Sequence, residues 1–418
     1  MKIAVVGSGV AGIVSAYLLQ RRHEVTLYEK NDYIGGHTHT IVIEQGQDAG
    51  TPVDTGFIVF NEKTYPTFLT FLAQLGVDKH KSSMCFSYYD ENTGLAYGSE
   101  TLDTLFAQRR NLLRPDFWMM VGGILRFNQQ TPLSLRRGSL KNLTLGEYLR
   151  SRHYNRYFIE RYLIPMCAAV WSTPDVRMLD FPMETLARFF LNHGLFAIIT
   201  HPQWYTVKGG SHAYVKAFLK TFKGRVHLNM PVNSVHRQND KVMVKLGDGR
   251  EEAYDKVVLA CHADEALKLL GDPSEQERQL LSSWGYCANQ TILHTDTTFL
   301  PPLAKVWSSW NYQRSAGTGS DAPITLTYHM NRLQNLGARN QYCVTLNPKR
   351  VLDQRRVIRE MVYTHPVYTP ASLASQELIR QINGRLNTYY CGSYLGYGFH
   401  EDAVKSAVEM AGHLGITL

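Results

Sequence analysis

The sequence is poor in cysteine and contains no long apolar run. Its six cysteines are widely spaced and form no Cys-x-x-Cys pair, which disfavours a zinc site, a thioredoxin-like redox pair and a disulfide scaffold. No stretch reaches the about 18 apolar residues that a transmembrane helix needs. The apolar N-terminus contains glycines that fit a strand and a turn better than a secretory signal. We therefore expect a cytoplasmic protein with reduced thiols.

Disorder and fibrous repeats are also excluded. Hydrophobic residues make up 44% of the 418 residues, while 32 glycines and 16 prolines are too few for a collagen-like or low-complexity chain. At about 150 residues per domain, the length corresponds to roughly two to three domains. Such a chain is long enough to form a dry core with an internal ligand site.

Negative charge is scarce in one part of the chain. The net charge is +8, and the stretch from Thr104 to Lys141 holds seven positive residues against one negative residue, Asp116. Apolar residues within it follow helical spacing (Phe117, Met120, Val121, Ile124 and Leu125). Two interpretations remain open: residues 105–141 dock on a membrane surface, or they form a core-facing helix with a solvated polar side. Nucleic-acid binding is disfavoured because no recognised module accompanies the charge.

A glycine motif lies between the first predicted strand, residues 2–6, and the first predicted helix, residues 10–20. It matches Gly-x-Gly-x-x-Gly (Gly7, Gly9 and Gly12). The glycines allow a tight turn and a close approach of pyrophosphate to a helix N-terminus. Glu29 ends the second predicted strand, where it can accept hydrogen bonds from an adenosine ribose. The motif predicts a bound dinucleotide and leaves open whether it is NAD or FAD.

Further motifs follow in order along the chain. They are the glycine pair within Glu29 to His37, then Asp54-Thr-Gly-Phe57, Lys208-Gly-Gly-Ser211, the strand leading to Val232, and Tyr390-Cys-Gly-Ser…Gly398-Phe-His-Glu-Asp-Ala403. Together they resemble the flavin-containing amine oxidase superfamily, which includes monoamine oxidases, phytoene desaturases and protoporphyrinogen oxidase. The resemblance spans essentially the whole chain and implies FAD as the cofactor. It implies these contacts: Gly7, Gly9, Val10, Ala11, Gly12, Glu29, Lys30, Gly35, Gly36, His37, Thr38, Thr55, Gly56, Phe57, Val232, Gly392, Ser393, Phe399, Glu401, Asp402 and Ala403.

The pattern and the resemblance predict an α/β fold with two interleaved domains. The first is a Rossmann-like FAD-binding domain made of residues 1–75, 205–270 and 385–418. The second is a mixed α+β substrate domain made of residues 76–204 and 271–384. Its helical basic part spans residues 100–200.

The sequence departs from the superfamily at the positions that meet the pyrophosphate. Tyr33 and His37 stand where arginines often flank the glycine pair, so backbone amides or Lys30 must meet the phosphate charge. Ser393 and Tyr394 stand where many members have an acid after the C-terminal glycine.

Other departures concern the substrate. Many amine oxidases place a lysine near flavin N5, but this chain has no lysine between Lys268 and Lys305, and Asn289 or Gln290 occupies the corresponding region. Phe399 stands where monoamine oxidases have a cage tyrosine. These differences disfavour oxidation of a simple amine. Cys391 matches the small residue before the glycine, which implies noncovalent FAD.

Few side chains are candidates for acid or base chemistry. His400 and Glu401 lie at a helix start that the resemblance places against the flavin, where His400 serves as a proton-transfer group or as a structural hydrogen-bond partner. His294 and His329, on predicted strands, line the substrate cavity or lie satisfied in the core. His37 and His39 have a metal-like spacing but no obvious third ligand, so we predict no metal site. Flavin chemistry needs few catalytic side chains.

Several runs resemble a bacterial branch of the superfamily. They include GGHTHT, DTGFIVFNEKTYP, FFLNHGL and GYGFHED. The branch is associated with cyclopropane-fatty-acid-synthase-like enzymes and with desaturation of methylated acyl chains toward furan fatty acids. The resemblance implies a lipid-like substrate, an acyl-modifying methyltransferase partner and a location in the cytoplasm, at the inner membrane surface if docking is real. Amine oxidation, redox-neutral isomerisation and a lipid-presenting scaffold without activity remain alternatives.

Overall fold

The structure is a computed structural model that describes residues 1–171, 178–197, 202–238, 240–316 and 325–418. The strands are β1 (Lys2–Val6), β2 (Glu24–Tyr28), β3 (Thr40–Val42), β4 (Pro52–Asp54), β5 (Val59–Asn61), β6 (Lys79–Ser82), β7 (Phe86–Asp90), β8 (Leu95–Gly98), β9 (Trp204–Val207), β10 (Arg225–His227), β11 (Val232–Gln238), β12 (Lys241–Leu246), β13 (Glu251–Tyr254), β14 (Lys256–Leu259), β15 (Gly285–His294), β16 (Trp310–Arg314), β17 (Thr325–His329), β18 (Cys343–Leu346), β19 (Val357–Val367) and β20 (Thr388–Tyr390).

The α-helices are Val10–Leu19, Pro66–Gln74, Leu102–Leu105, Pro115–Arg136, Leu145–Ser151, Arg156–Phe158, Ile164–Trp171, Met183–Asn192, His212–Thr221, Ala263–Leu269, Glu275–Leu281, Met330–Leu333, Pro370–Gln381 and His400–Gly412. Short 3-10 helices span Arg109–Leu113, Thr297–Phe299, Ala304–Val306, Gln354–Arg356, Arg385–Asn387 and Ser393–Leu395, and Ile159–Leu163 is a π-helical turn. No helix of the described residues is long and apolar enough to cross a membrane.

Five parallel strands form the first sheet, in the order β10-β2-β1-β14-β20. Its central strand is apolar on both faces, as parallel sheets covered by helices require. Ile3 and Val5 point into a core shared with the Val10–Leu19 helix, while Ala4 and Val6 point into the core on the other face. This doubly covered parallel sheet confirms the predicted Rossmann-like fold.

The second large sheet has seven strands in the order β19-β15-β18-β17-β16-β7-β8 and is mainly antiparallel. Its front face packs against β3 and β4, through Leu293 and Val344 beside Val53. Its back face carries a buried row of polar side chains joined by hydrogen bonds (Ser87 to Asn311, and Thr327 to Thr345). Alternation along each strand therefore divides an apolar and aromatic front from a polar back.

The helical layer over residues 102–197 is organised around the long helix (Pro115–Arg136). Phe117 and Met120 of the predicted apolar stripe are fully buried, which confirms the interpretation of a core-facing helix for that stripe. Leu125 is exposed, in contrast to its place in the predicted stripe. Gly123 lies against Phe158, because a Cβ at that glycine would sit 2.4 Å from the Phe158 Cβ.

Three smaller sheets complete the fold: β3 pairs with β4, β9 lies between β5 and β6, and β12 lies between β11 and β13. In the β5-β9-β6 sheet, β5 and β6 precede the helical layer in the sequence and β9 follows it. The chain thus passes repeatedly between the two large sheets, and a shared region between them collects residues that are distant in sequence.

Candidate active site

The first glycine turn leaves an open space beside its second glycine. A Cβ on Gly12 would lie 1.9 Å from the Gly7 carbonyl oxygen, so Gly12 is needed for packing of the turn itself. A Cβ on Gly9, in contrast, would meet no heavy atom of the described chain within 4 Å. No described side chain caps the helix that begins at Val10, and its first amides therefore remain free to bind an anion. This geometry fits a pyrophosphate over Gly9, Val10 and Ala11.

The second glycine pair forms the other wall of this space. The Gly35 amide donates to the Ser8 carbonyl over 3.0 Å, and Gly35 bridges to Gly9. Gly36 has φ +59°, and a Cβ there would approach the Gly9 Cα to 3.1 Å. The two glycine segments therefore touch through their backbones.

Glu29 is buried at the end of β2. It accepts hydrogen bonds from the Ser8 amide (3.0 Å) and hydroxyl (2.5 Å), and from the amide and side chain of Asn31 (2.9 and 2.8 Å). The carboxylate thus holds the glycine turn, and a ribose hydroxyl that binds it would replace one of these four hydrogen bonds. Lys30 forms an ion pair with Glu265 at 2.7 Å, so its charge is already engaged.

Three histidines meet in front of the seven-stranded sheet. The ring centroid of His37 lies 5.0 Å from Tyr363, 5.4 Å from His365 and 6.4 Å from His262. Burial and the neighbouring imidazoles lower the pKa of His37 well below its usual range, and burial lowers the pKa of His365 to about 4. The cluster is therefore neutral at physiological pH. His37 Nε2 is buried with no hydrogen-bond partner among the described residues, which leaves it free for a polar group of a ligand.

Asn289 holds His365 in place. Its amide nitrogen lies 3.0 Å from His365 Nδ1, and its oxygen accepts from the Asn347 amide over 2.7 Å. Because Asn289 Nδ2 is a donor, Nδ1 must be the acceptor and the His365 proton is on Nε2. Gln290 points outward and is exposed. Of the two residues that the sequence left open, Asn289 is the one that faces the site.

His400 is fixed at the start of the His400–Gly412 helix. Its ring stacks on Phe57 with centroids 3.6 Å apart, and its Nε2 lies 2.9 Å from the Tyr214 hydroxyl and 3.3 Å from Thr38 Oγ1. Burial lowers its pKa to about 3. His400 is therefore a neutral ring with all contacts inside the protein.

The two acids that follow His400 also have structural partners. Glu401 accepts hydrogen bonds from the amides of Thr67 (2.9 Å) and Phe68 (2.8 Å), and so caps the Pro66–Gln74 helix. Asp402 accepts from the Phe399 amide over 2.9 Å, and burial raises its pKa to about 7. These contacts set the entry of the chain into the C-terminal helix.

The Thr55–Phe57 segment crosses behind the second glycine pair. Thr55 Oγ1 lies 2.7 Å from the Tyr363 hydroxyl, and a Cβ on Gly56 would lie 2.2 Å from the His37 carbonyl oxygen. Asp54, just before it, accepts hydrogen bonds from the amide (2.8 Å) and hydroxyl (2.9 Å) of Ser211. Two motif segments that are far apart in sequence are thus tied directly together.

The remaining predicted cofactor residues lie at strand ends and helix starts. Val232 begins β11 and is buried. The Gly392 amide donates to Ser406 Oγ over 2.9 Å, Ser393 begins a 3-10 turn after β20, and Ala403 is buried in the first turn of the C-terminal helix.

One family model covers nearly the whole chain. Residues 10–414 match the model of the flavin containing amine oxidoreductases. The chain belongs to this family. FAD is its cofactor, and the open space at Gly9 with the unpartnered His37 nitrogen fits that group.

Individual relatives of this flavoprotein are distant. It is 23% identical to an L-amino-acid oxidase from Siganus canaliculatus over 66% of this chain and 53% of that one, so it spans about half of that relative. It is 31% identical to a 1-hydroxycarotenoid 3,4-desaturase from Flavobacterium sp. (strain P99-3) over 22% of this chain and 19% of that one. Its fold matches a fatty acid isomerase from P. acnes with a TM-score of 0.69, at 17% identity over 98% of each chain. Cyclohexylamine oxidase from Brevibacterium oxydans IH-35A matches with a TM-score of 0.66, at 14% identity over 99% of each chain.

An aromatic wall surrounds Phe399 of the flavoprotein. The Phe399 ring lies 4.9 Å from Phe189 and 5.9 Å from His193. Phe189 also contacts Trp171 and Tyr397, at 4.8 and 6.0 Å. Burial lowers the pKa of His193 to about 4, so this wall is uncharged at neutral pH.

His294 and His329 lie on the other side of the seven-stranded sheet. His294 Nε2 lies 2.7 Å from Thr345 Oγ1 in the polar row of the back face, and His329 Nε2 lies 2.7 Å from Gln341 Oε1. The sheet separates both from the His37 cluster, so we leave them out of the proposed site. Cys391 is buried, its sulfur lies 3.4 Å from Ser15 Oγ, and burial raises the pKa of its thiol to about 12.

Sequence reasoning missed His262, His365 and Tyr363. Tyr363 and His365 lie on β19, whereas His262 precedes the Ala263–Leu269 helix, and no local motif contains all three. The available signal was the alternation along β19, which places Tyr363 and His365 on the same face of the sheet as Asn289.

Proposed function

We propose that this FAD-dependent oxidoreductase desaturates a carbon–carbon bond in a lipid-like substrate, most plainly a fatty-acyl chain. The observation that carries the proposal is the uncharged aromatic wall around Phe399, combined with an amide, Asn289, at the position where many amine oxidases have a lysine. An apolar chain gains free energy by burial against such a wall, whereas a carboxylate would lack a charged partner there.

Different residues of the chain would bind different parts of FAD. Amides at Gly9, Val10 and Ala11 would bind the pyrophosphate, Glu29 the ribose, and the His37 nitrogen a polar group between the domains. When bound, FAD supplies the two-electron acceptor that a desaturation needs. Cys391 is buried in the core beside Ser15, which supports noncovalent attachment.

His365 and Asn289 act as a neutral positioning pair on the substrate side. The amide of Asn289 fixes the proton of His365 on Nε2, so this nitrogen presents an N–H donor. Such a donor orients a polar atom without introducing a charge into the neutral site. Tyr363 and the sheet behind it exclude water from this side of the site.

Names of similar proteins support this substrate class. One relative is a carotenoid desaturase, and one structure of the same fold is a fatty acid isomerase. A methyl-branched phospholipid acyl chain belongs to this substrate class, and an acyl-modifying methyltransferase would be a suitable partner that supplies it. The six cysteines are all free thiols, which supports a cytoplasmic location, next to the membrane that holds such lipids.

Amine oxidation is the second candidate. It is favoured by the L-amino-acid oxidase relative and by the aromatic wall itself, since aromatic rings also attract cations.

One experiment separates these functions. The purified holoprotein is mixed without oxygen with acyl phospholipids, free fatty acids or a panel of amines, and the flavin absorbance is followed. Bleaching by acyl lipids with loss of two hydrogens from the lipid mass supports desaturation. A product of unchanged mass indicates isomerisation, and bleaching by amines alone indicates amine oxidation. Lipid binding with no flavin reduction and no product would support a lipid-presenting scaffold.

A further inference from the structure

The long helix and the two short helices before it carry apolar residues that are exposed to solvent. Of the seventeen large apolar side chains that are exposed among the described residues, seven lie between residues 102 and 133. Leu113 is 87% exposed and Leu102 is 75% exposed. We call this surface the docking face (Leu102, Leu112, Leu113, Trp118, Met119, Leu125 and Leu133).

The docking face is distinct from the core-facing side of the same helix. Phe117, Met120 and Phe127 are fully buried and pack toward the protein. At about 100° per residue, Trp118, Leu125 and Leu133 fall on the opposite side. Trp118 is held in place there, since its indole N–H donates to the Leu112 carbonyl over 2.9 Å and its ring lies 5.4 Å from Phe106. Exposure of the apolar side chains is therefore a property of an ordered surface.

Positive charge without acidic partners borders the docking face. Arg136 is exposed on the same side of the helix as Trp118, and the exposed residues Arg137 and Lys141 follow it in the sequence. None of the three has an ion-pair partner among the described residues, while the two acids of the region, Asp103 and Asp116, are both paired with arginines.

We propose that the docking face binds the surface of a lipid bilayer that contains anionic phospholipids. The leucines and Met119 would enter the acyl boundary, Trp118 would lie at the headgroup level, and Arg136 and Arg137 would contact phosphates. A second copy of the chain is a poor occupant, because a symmetric contact would bring two strongly positive surfaces together. This inference goes beyond the proposed reaction and depends only on the surface residues.

The docking face lies one helix away from the aromatic wall. On the inner side of the long helix, Phe127 lies 6.4 Å from Phe190, and the adjacent residue Phe189 contacts Phe399. The Met183–Asn192 helix therefore separates the docking face from the candidate site. A membrane bound at this face would be next to the layer that covers the site.

Vesicle co-sedimentation of the full-length holoprotein tests the proposal. We expect binding to phosphatidylcholine vesicles that contain phosphatidylglycerol, weak binding to pure phosphatidylcholine, and loss of binding at high salt. The Arg136→Gln/Arg137→Gln variant should bind more than tenfold more weakly, since each basic residue contributes about fivefold. The Leu102→Glu/Leu113→Glu variant should also bind these vesicles more than tenfold more weakly. Val351→Glu/Val362→Glu places the same change at exposed apolar residues elsewhere and should bind normally.

Three outcomes would overturn the proposal. They are no binding to anionic vesicles, equal binding by the Leu102→Glu/Leu113→Glu variant and the control, or concentration-dependent dimers that the docking-face substitutions abolish. The last result would identify a second copy as the occupant. Flavin content and thermal melting establish that each variant is folded, and flavin reduction by detergent-solubilised lipid is measured in parallel. Vesicle binding and lipid oxidation can then fail independently.

Discussion

Phe57 and His400 stack almost in parallel, with ring centroids 3.6 Å apart and an angle of 5° between the rings. The hydroxyls of Tyr214 and Thr38 occupy the Nε2 side of the same imidazole. A ring with this environment orders the start of the C-terminal helix. It is poorly suited to exchange protons with a substrate.

We therefore expect His400→Asn to lower stability without changing the pH dependence of the reaction. The substitution removes the stacking with Phe57 and one of the two hydrogen-bond partners of the buried Tyr214 hydroxyl, at a cost of about 1–3 kcal/mol in the free energy of unfolding. Denaturant unfolding and the pH profile of flavin reduction measure the two effects. A lost inflection in that profile, with normal stability, would instead assign His400 a proton-transfer role.

Gly9→Ala should produce a folded protein that retains little FAD. The backbone at Gly9 has φ −60° and ψ 176°, which alanine adopts readily, and the added methyl group would meet no atom of the described chain within 4 Å. It would enter the space assigned to the pyrophosphate, and overpacking of this kind costs about 1–3 kcal/mol, or roughly tenfold to hundredfold in affinity. Titration of the apoprotein with FAD measures the effect. Gly122→Ala, in another open position, is the matched control.

Glu29→Gln should weaken FAD binding more than it weakens the fold. The glutamine oxygen can still accept from Ser8 or Asn31, whereas alanine would leave the buried Ser8 amide unpaired. Loss of a charged acceptor for the ribose predicts roughly tenfold to hundredfold weaker binding. Full retention of FAD by this variant, measured by flavin content after gel filtration, would contradict the assigned ribose position.

The stability of the protein should fall as the pH is lowered from about 6.5 to about 4. In the folded protein, burial lowers the pKa of four histidines to about 4 (His39, His193, His294 and His365) and that of His400 to about 3. Burial also lowers the pKa of His37. Unfolding therefore takes up protons below the normal histidine pKa, at up to about 1.4 kcal/mol per pH unit for each ring.

Two aspartates have the opposite effect on the pH dependence of stability, but they are fewer than the histidines. Burial raises the pKa of Asp54 and Asp402 to about 7, so their neutral forms stabilise the fold at low pH and this contribution is lost as the pH rises through 7. Thermal melts at fixed FAD concentration across this pH range measure the combined effect of the histidines and the aspartates on stability. The exposed substitution His413→Asn should leave the slope unchanged, while His193→Phe should reduce it.

The first glycine motif predicted its own backbone geometry, because it is contained in a single turn. Gly7, Gly9 and Gly12 form the expected strand, turn and helix, since their spacing directly encodes that turn. The substrate half depends on contacts between distant segments. His37 and His365 meet only because β19 crosses in front of the second glycine pair.

The long helix shows a feature that residue spacing alone does not predict. Two adjacent glycines, Gly122 and Gly123, have low helix propensity, but helix packing requires Gly123, since Phe158 fills the space where a side chain would be. Helical spacing correctly identified Phe117 and Met120 as one stripe. Spacing could not show that Trp118 and Leu125 form a second, exposed stripe, because a residue's exposure depends on what covers the helix.

Asn289→Asp should impair substrate oxidation by reversing the hydrogen bond to His365. A carboxylate accepts hydrogen bonds and does not donate, so it would draw the imidazole proton to Nδ1 and leave Nε2 without a hydrogen. It would also place a negative charge in the neutral site. We expect a decrease of at least tenfold in the rate of flavin reduction by substrate, and a raised pKa of His365 visible as a new inflection in the pH profile. Gln290→Glu introduces the same charge at the next residue, on the exposed face of the strand, and should have little effect. Similar losses in the two variants would show that general electrostatics, and not the Asn289–His365 pair, controls the reaction.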